Sequence, residues 1–426
     1  YKTLERQLAA YPAGDMARDA QWLLFRRLWE AGSYADAADY AESLGAELDD
    51  FDVDTRGRLA YFRARALEQA GKGDEALTAY AEHVERYGLT YYAALALARL
   101  HRLDAKRGEE LVAKLREGAL QPELDVVAID APNFVAQPAY RRGLALARLG
   151  LFDLAKAELE AFVAAVQGTS ALAPAADEPT QAAASDTEDE DASGADNGAD
   201  VAAPAVALDP GFVVAALFER AGAPSRSHRR AIQLLGEASG CWSKAECTRW
   251  ALAYPRPFWA SVEAEAARQG LPTELVYAIM REESGFEAGI ESFANACGLM
   301  QLMLPTAQSE AKKLGRKEPS KAELFQPDTA IALGASYLAS LAKDFGGAEA
   351  LVIAGYNGGE GNVGRWLDEA GTLPFDLWVE QISYGQTRNY VKKVLTTDWR
   401  YRWLYAEAAW IDFDPTQSAA SLAGRP

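Results

Sequence analysis

Apolar and polar positions follow a helical period along most of the chain. Alanine and leucine recur at three- and four-residue spacings through roughly the first 165 residues, which is the pattern of helices with one apolar face. The same spacing resumes near Gly211 in "FVVAALFERAGA" and again in "LPTELVYAIMREES" (271–284). No segment shows the sustained period-two alternation of a half-buried strand. The pattern therefore predicts a mainly α-helical chain.

A weak internal repeat organises the N-terminal helices. The segment "AYFRARALEQAGKGDEAL" (60–77) aligns with "AYRRGLALARLGLFDLAK" (139–156). Gly71 and Gly150 mark the predicted helix-to-helix turns, where glycine adopts a left-handed conformation, and Gly32 takes the same place about one repeat earlier. Helical hairpins that recur about every forty residues predict a tetratricopeptide-like superhelix. A plain helical bundle is the alternative.

Shifts in composition predict the domain boundaries. The run "SDTEDEDASGADNGAD" carries many acids, no bases and no large apolar side chain, so it cannot bury enough surface to offset its ordering entropy. Pro255 and Pro257 mark a later joint. We predict four ranges: a helical superhelical repeat domain at 1–168, an acidic disordered insertion at 169–206, a helical linker region at 207–258 and a last domain at 259–426.

Charge and composition exclude several classes of function. The net charge of -19 argues against nucleic acid and anionic lipid as partners. No apolar run reaches the roughly 18 residues of a membrane span. The three histidines are scattered, and the chain has no phosphate-binding glycine loop and no nucleophile elbow, so we predict neither a metal site nor a cofactor. Cys241 and Cys247 are spaced for either a disulfide or two reduced thiols.

Two adjacent glutamates end the predicted helix at 271–284. Glu283 shares a face with Val276, Ile279 and Met280, while Glu282 shares the neighbouring face with other apolar residues. Periodicity therefore cannot choose between the two carboxyl groups. A carboxyl group beside an apolar stripe loses solvation, which raises its pKa and suits it to act as a general acid near neutral pH. The alternative is that both glutamates are exposed at the helix end.

The surrounding motifs resemble those of the soluble lytic transglycosylases. Four motifs occur in the family's order: "EESGF" followed by "SFANACGLMQLMLPTA", then "LFQPDTAIALGASYLASLAKDFGG", then "AGYNGGEGNVGRWL", and finally "QISYGQTRNYVKKVL". The resemblance implies a lysozyme-like catalytic lobe at the C-terminus, supported by the N-terminal superhelix. It also implies an enzyme that cleaves the β-1,4 bond between N-acetylmuramic acid and N-acetylglucosamine in peptidoglycan without water, leaving a 1,6-anhydromuramoyl end.

The resemblance also assigns site residues by motif position. Glu283, directly before a serine, would be the catalytic residue, acting first as acid and then as base. Sugar-binding positions would be filled by hydroxyl, amide and other side chains that contact the glycan: Ser284, Ser292, Gln301, Met303, Tyr356, Asn357, Gln386 and Tyr390. Gln386 stands where the family usually has a glutamate. Phe293 and Cys297 are unusual in the glycine-containing loop.

Two other functions remain open at this point. A goose-type muramidase-like hydrolase would use water and leave a reducing end. A wall-binding scaffold would grip glycan without cleaving it, with the superhelix gathering cell-wall protein partners. Peptidoglycan lies outside the cytoplasmic membrane, so the resemblance implies a periplasmic protein, although no signal peptide is recognised in the sequence.

Overall fold

The computed structural model describes residues 2–12, 14, 16–44, 55–117, 134, 137–166, 210–236, 238, 240–406 and 414–424. The predicted acidic insertion, 169–206, lies outside the described residues. By packing, the chain divides into two compact units. One comprises 1–120, 237–243 and 256–426, and the other comprises 121–236 and 244–255. The four domain ranges predicted from composition stay a prediction.

The structure is mainly α-helical, as the periodicity predicts. In the first 120 residues, the described helices are α1 (Lys2–Ala10), α2 (Ala17–Glu30), α3 (Tyr34–Ser43), α4 (Arg58–Gln69), α5 (Gly73–Tyr87), α6 (Tyr91–Leu103) and α7 (Ala105–Arg116). Each of these helices packs against the next one along the chain. Sequential packing of this kind is expected of helical-hairpin repeats.

The predicted glycine turns are confirmed. Gly32 separates α2 from α3 and Gly71 separates α4 from α5, with φ angles of 72° and 77°. Gly150 has a φ of 72° and lies between two helices of the second unit. A left-handed backbone is costly for a residue with a Cβ atom. Glycine at these turns therefore lets each helix fold back on its predecessor.

The second unit has its own apolar core. Its described helices are α8 (Pro138–Arg148), α9 (Phe152–Val166), α10 (Pro210–Arg220), α11 (Pro224–Leu235) and α12 (Lys244–Ala253). Aromatic rings meet at the centre, where Phe162 packs 4.9 Å from Phe134 and 5.3 Å from Tyr140, measured between ring centroids. Helix α10 adds Val214 and Leu217 to this cluster.

The remaining elements belong to the first unit and include the helix that carries the adjacent glutamates. They are α13 (Trp259–Gln269), α14 (Thr273–Ser284), β1 (Ala296–Cys297), β2 (Leu302–Met303), α15 (Leu304–Lys313), a 3-10 helix (Lys321–Phe325), α16 (Pro327–Asp344), α17 (Glu349–Gly358), α18 (Glu360–Ala370), α19 (Phe375–Gln381), α20 (Gly385–Tyr405) and α21 (Ala419–Leu422). Strands β1 and β2 pair in antiparallel fashion, with Ala296 opposite Met303.

Helix α14 forms the centre of this region. Its residues 275–280 are all buried, including Val276, Ile279 and Met280 at 0% exposure. Burial of such side chains stabilises the fold by about 1.5–3 kcal/mol each. Helix α14 packs along α20, which also contacts α17 and the N-terminal helix α6.

Two further features answer questions that the sequence left open. Cys241 and Cys247 are both disulfide-bonded, whereas Cys297 is a buried free thiol. Within the described residues, no helix combines the length and apolar character needed to cross a membrane.

Candidate active site

The end of α14 fixes the position of the two glutamates. Gly285 follows the helix with a φ of 54°, and its N–H donates to the carbonyl oxygen of Arg281 at 2.9 Å. This left-handed glycine ends the helix one residue after Ser284. Glu282 and Glu283 therefore lie in the last helical turn, where they can point toward different neighbours.

Glu283 is largely buried, and its partner comes from α20. The hydroxyl of Tyr390 donates to its Oε1 at 2.5 Å. Burial raises the pKa of Glu283 to about 7, the hydrogen bond from Tyr390 acts to lower it, and the nearby charge of Glu282 adds to the rise. Within the described part of the chain, no lysine or arginine forms an ion pair with this carboxyl group. Burial thus shifts Glu283 toward its protonated form near neutral pH.

Glu282 has a different environment from its neighbour. It pairs with the guanidinium of Arg281, and the hydroxyl of Thr397 donates to its Oε1 at 2.7 Å. Arg281 also donates to Thr397, at 3.2 Å. The structure thus separates two glutamates that periodicity could not distinguish: Glu282 lies beside a guanidinium, and Glu283 accepts a tyrosine hydroxyl. Catalysis by Glu283 stays a prediction.

The loop after α14 is shaped by its own polar side chains. Ser292 accepts the N–H of Ala296 on Oγ at 3.0 Å. Gln301 has a φ of 45°, and its side-chain amide donates to the carbonyl oxygens of Gly298 at 2.9 Å and Ile290 at 3.2 Å. These bonds fix the backbone of the loop. Contacts of Ser292 and Gln301 with sugar stay predictions.

Gly298 is required by the close approach of two chain segments. A Cβ atom at this position would lie 2.1 Å from the carbonyl oxygen of Leu324, and the φ angle is 74°. No side chain fits such a gap without moving the backbone. Glycine at 298 therefore lets the loop pack onto the 3-10 helix.

Tyr356 and Asn357 lie at the end of α17. The hydroxyl of Tyr356 donates to the carbonyl oxygen of Met300 at 2.6 Å. Its pKa is raised well above the usual value by burial and by the charge of Glu283, which places the two side chains within electrostatic reach. Asn357 accepts a hydrogen bond from Thr387 at 2.8 Å. Tyr356 thus ties the loop to the helix that carries it.

The remaining predicted residues have varied surroundings. Ser284 is buried, donates to the carbonyl oxygen of Met280 at 2.9 Å and accepts the N–H of Phe286 at 3.1 Å, so its hydroxyl helps to end α14. Met303 is 42% exposed. Gln386 is exposed in the first turn of α20, one turn before Tyr390. Their contacts with glycan stay predictions.

The structure adds partners that the sequence reasoning missed. Tyr390 was expected to bind sugar, and the structure adds its hydrogen bond to Glu283. The role of Thr397 beside Glu282 was not foreseen. Tyr390 and Thr397 are seven residues apart on α20, and that spacing places them on one helix face. The sequence could have indicated through this spacing that Tyr390 and Thr397 share a face, but it could not indicate that this face packs against α14.

Comparisons with known proteins identify this region. Residues 260–379 match the family model described as "Transglycosylase SLT domain". This part of the chain is thus similar to transglycosylase SLT domains. The resemblance found in the sequence motifs is thereby confirmed.

Curated relatives extend the match. A soluble lytic murein transglycosylase of Escherichia coli (strain K12) is 35% identical over 159 residues, which is 36% of this chain and 23% of that protein. A membrane-bound lytic murein transglycosylase C of Yersinia pestis (strain Pestoides F) is 39% identical over 162 residues, covering 33% of this chain and 45% of that protein. The matches thus span less than half the length of these relatives.

A solved structure supports the fold outside the matched region. The lytic transglycosylase Slt of Pseudomonas aeruginosa, determined as an inactive mutant, superposes with a TM-score of 0.64 at 23% identity. The superposition covers 98% of this chain and 56% of that one. The predicted fold class, a helical superhelix with a lysozyme-like lobe, is confirmed by this likeness.

Proposed function

We propose that this protein is a lytic murein transglycosylase that cleaves the β-1,4 bond between N-acetylmuramic acid and N-acetylglucosamine in peptidoglycan without water. The observation that carries the proposal is the buried carboxyl group of Glu283, which has a pKa near 7 and a tyrosine hydroxyl as its partner. The SLT domain match at 260–379 supports the class of reaction.

The first step is protonation of the leaving group. The protonated carboxyl group of Glu283 donates its proton to the glycosidic oxygen. The bond from this oxygen to C1 of the muramoyl residue breaks, and the electron pair leaves with the oxygen as the free hydroxyl of N-acetylglucosamine. Positive charge develops at C1 in an oxocarbenium-like state, and Glu283 becomes a carboxylate.

The second step returns the proton. The Glu283 carboxylate accepts the proton of the C6 hydroxyl of the muramoyl residue, and O6 forms a bond to C1. This closes the 1,6-anhydro ring and restores the protonated glutamate. Tyr390 remains a hydrogen-bond donor in both steps, because burial and the charge of Glu283 raise its pKa well above the usual value.

A single carboxyl group suffices for this cycle. Most glycosidases use two carboxyl groups with separate roles. Here the neighbouring Glu282 is engaged by Arg281 and Thr397, and that engagement supports one working carboxyl group at Glu283. The goose-type hydrolase and the non-catalytic scaffold are not favoured by any contact in the described residues.

The deciding experiment is mass spectrometry of the soluble fragments released from purified peptidoglycan. Wild type should release fragments with 1,6-anhydromuramoyl ends. Glu283→Gln should lose about 10²–10⁴-fold in rate, since it can neither give nor accept the proton. Glu282→Gln is the matched control, because it removes a carboxyl group one position away, and it should retain most of the activity.

Each outcome has a distinct meaning. Reducing-end fragments from wild type would replace the transglycosylase with a hydrolase. Binding to peptidoglycan with no fragments from wild type would favour a scaffold. Full activity of Glu283→Gln would show that another group performs the proton transfer.

The proposed substrate, peptidoglycan, indicates where in the cell the protein would act. Peptidoglycan as substrate is supported by the lytic transglycosylase relatives, and an enzyme that acts on it is exposed to the periplasm. A disulfide involving Cys241 and Cys247 suits an oxidising compartment. Cell-wall protein partners on the helical repeats stay a prediction, and so does the absence of a metal or cofactor from the reaction.

A further inference from the structure

Helix α20 presents opposite faces to two different parts of the first unit. One face carries Tyr390, which contacts Glu283. Lys392 follows two residues later, and two residues of an α-helix turn through about 200°. Lys392 therefore points nearly opposite to Tyr390, and its side chain is 2% exposed. A charged group on that face needs a partner in the protein.

Lys392 finds its partners on α19 and on the N-terminal helix α6. Its Nζ lies 2.8 Å from Oε1 of Glu380 and donates to the hydroxyl of Tyr92 at 2.9 Å. Tyr92 in turn donates to the same carboxylate oxygen at 2.6 Å. Arg58, at the start of α4, reaches the other carboxylate oxygen at 3.5 Å. We call Arg58, Tyr92, Glu380 and Lys392 the brace.

A second buried contact joins the same helices nearby. Asp376 on α19 is fully buried. It accepts hydrogen bonds from Tyr61 at 2.8 Å and from Arg65 at 2.7 Å, both on α4. Farther along α20, Arg400 donates to the carbonyl oxygen of Leu89 at 2.9 Å. The N-terminal helices thus contact α19 and α20 through directional polar bonds at several points.

Buried ion pairs of this kind contribute little net stability to a fold. Desolvation of two ions offsets most of their attraction, and apolar residues of the same size often stabilise a fold equally well or better. Hydrogen bonds differ from apolar contacts because they depend on angle as well as distance. Directional bonds of this kind therefore fix the rotation and the axial position of α20 more narrowly than apolar packing would.

We infer that the brace consists of positioning residues, through which α4 and α6 hold α20 in the rotation that keeps the Tyr390 hydroxyl on Glu283. This inference rests on the proposed function, since it assigns the N-terminal helices a part in the same reaction. Brace residues act through Tyr390 and do not touch the glycan. The N-terminal helical repeats would thereby contribute to catalysis by positioning Tyr390.

The principal test is the double substitution Glu380→Gln/Lys392→Met in the full chain. It removes one negative and one positive charge while nearly keeping the volumes, and Arg58 keeps a carboxylate neighbour in Asp19, at 3.8 Å, so the protein should fold with a melting temperature close to that of wild type. On soluble glycan strands, kcat should fall about tenfold with KM within twofold, because only the alignment of the reacting groups is lost. A loss of melting temperature with unchanged kcat would overturn the inference.

A pH profile separates positioning from general damage. Among the residues that the structure describes, the titratable groups that interact with Glu283 are Tyr390, Glu282 and Tyr356. The hydrogen bond from Tyr390 acts to lower the pKa of Glu283, so its loosening should move the alkaline limb of kcat to higher pH. The same shift should appear in an infrared titration of the Glu283 carboxyl band, with Glu283→Gln as the blank. An unmoved limb and an unmoved band would contradict the inference.

A double-mutant cycle tests whether the brace acts on Glu283 through Tyr390. The brace substitutions should have little further effect in a Tyr390→Phe background, since the contact they protect is already absent. Equal and additive effects in both backgrounds would show that the brace does not act through Tyr390.

A milder pair of variants covers the case in which the double variant does not fold. Tyr92→Phe removes one hydroxyl from the brace and should lower kcat about fivefold with the same alkaline shift. Tyr80→Phe is its matched control: Tyr80 is equally buried in the N-terminal helices, but its hydroxyl donates to Glu68, at 2.8 Å. Equal kcat and pH profiles for the two variants would overturn the inference. If wild type released no anhydro fragments, the proposed function would fail. The infrared titration would still show whether the brace residues control the contact between Tyr390 and Glu283.

Discussion

Glu283, which is half-buried, and Glu380, which is buried, each accept a hydrogen bond from a tyrosine, yet their pKa values move in opposite directions. Burial raises the pKa of Glu283 to about 7, and the bond from Tyr390 does not reverse the rise. Burial also acts to raise the pKa of Glu380, but Lys392 and Arg58 outweigh it, and the pKa is lowered. The two carboxyl groups are served by opposite faces of α20.

The difference between the two regions is the presence of a cation. A tyrosine hydroxyl alone stabilises the Glu283 carboxylate too weakly to offset burial, whereas Lys392 at 2.8 Å, Arg58 and the Tyr92 hydroxyl together do so at Glu380. A carboxyl group without a cation keeps its proton near neutral pH and can transfer it. One with a cation keeps its charge and can hold two helices together.

Asp398 shows that the balance of charges matters more than the presence of one cation. It accepts a hydrogen bond from Arg402 at 2.7 Å. Burial and the nearby charge of Glu349 nevertheless raise its pKa to about 7. Arg402 is shared with Glu349, at 2.8 Å, so one guanidinium serves two carboxyl groups. A shared cation therefore compensates each carboxylate only in part.

The largest expected effect follows from removing the cation of the brace. Lys392→Met leaves Glu380 buried with a single distant guanidinium. It should lower the free energy of unfolding by about 3–5 kcal/mol, the usual cost of an uncompensated buried charge. Urea unfolding would measure this loss. Lys393→Met is the matched control at the adjacent exposed position, where about 1 kcal/mol or less is expected. Equal losses of unfolding free energy in Lys392→Met and Lys393→Met would show that Lys392 does not compensate the buried charge of Glu380.

The next effect is on stability as a function of pH. The folded pKa of Glu283, about 7, lies above its unfolded value of 4.5. The unfolded chain therefore releases this proton first, and the stability that Glu283 contributes is complete below pH 4.5 and is lost as the pH rises through 7. Relative to wild type, Glu283→Gln should gain about 3 kcal/mol between pH 4.5 and pH 8.

Unfolding free energies at the two pH values would test this gain. Glu263→Gln, at an exposed position of α13, is the control and should change stability by less than about 0.5 kcal/mol at either pH. A gain in Glu283→Gln that does not depend on pH would mean that folding does not raise the pKa of this carboxyl group.

A smaller effect is expected from the tyrosine that contacts Glu283. Tyr390→Phe removes the hydrogen bond that acts to lower the pKa of Glu283. The alkaline limb of kcat should move to higher pH, and kcat at its optimum should fall about tenfold, as expected for about 1.4 kcal/mol of lost stabilisation. Tyr405→Phe, at the far end of α20, should leave the limb in place. A limb that moves to lower pH would contradict the assigned direction.

The smallest effect should come from Glu282. Its negative charge contributes to the raised pKa of Glu283, but as the last of the three causes. Glu282→Gln should therefore move the alkaline limb slightly to lower pH, opposite to Tyr390→Phe. If the alkaline limb moved in the same direction in both variants, the pKa of Glu283 would depend on something other than these two neighbours.

Local sequence determined the helices and their ends. Periodicity predicts α14, the glycines at 32, 71 and 150 mark the turns with their left-handed backbone, and four ordered motifs indicate the family. These features depend on contacts between residues close in sequence. The sequence could therefore predict the mainly helical fold and place a candidate carboxyl group at the end of α14.

Tertiary structure alone decided what each carboxyl group does. Tyr390 and Thr397 reach the glutamates across 107 and 115 residues, and Arg58 and Tyr92 reach Glu380 across 322 and 288. Adjacent glutamates at 282 and 283 look alike in sequence, because helical spacing places each beside an apolar stripe. Glu282 pairs with Arg281 beside it on the same helix, but only the packing of α20 along α14 gives Glu283 the hydroxyl of Tyr390 and Glu282 that of Thr397.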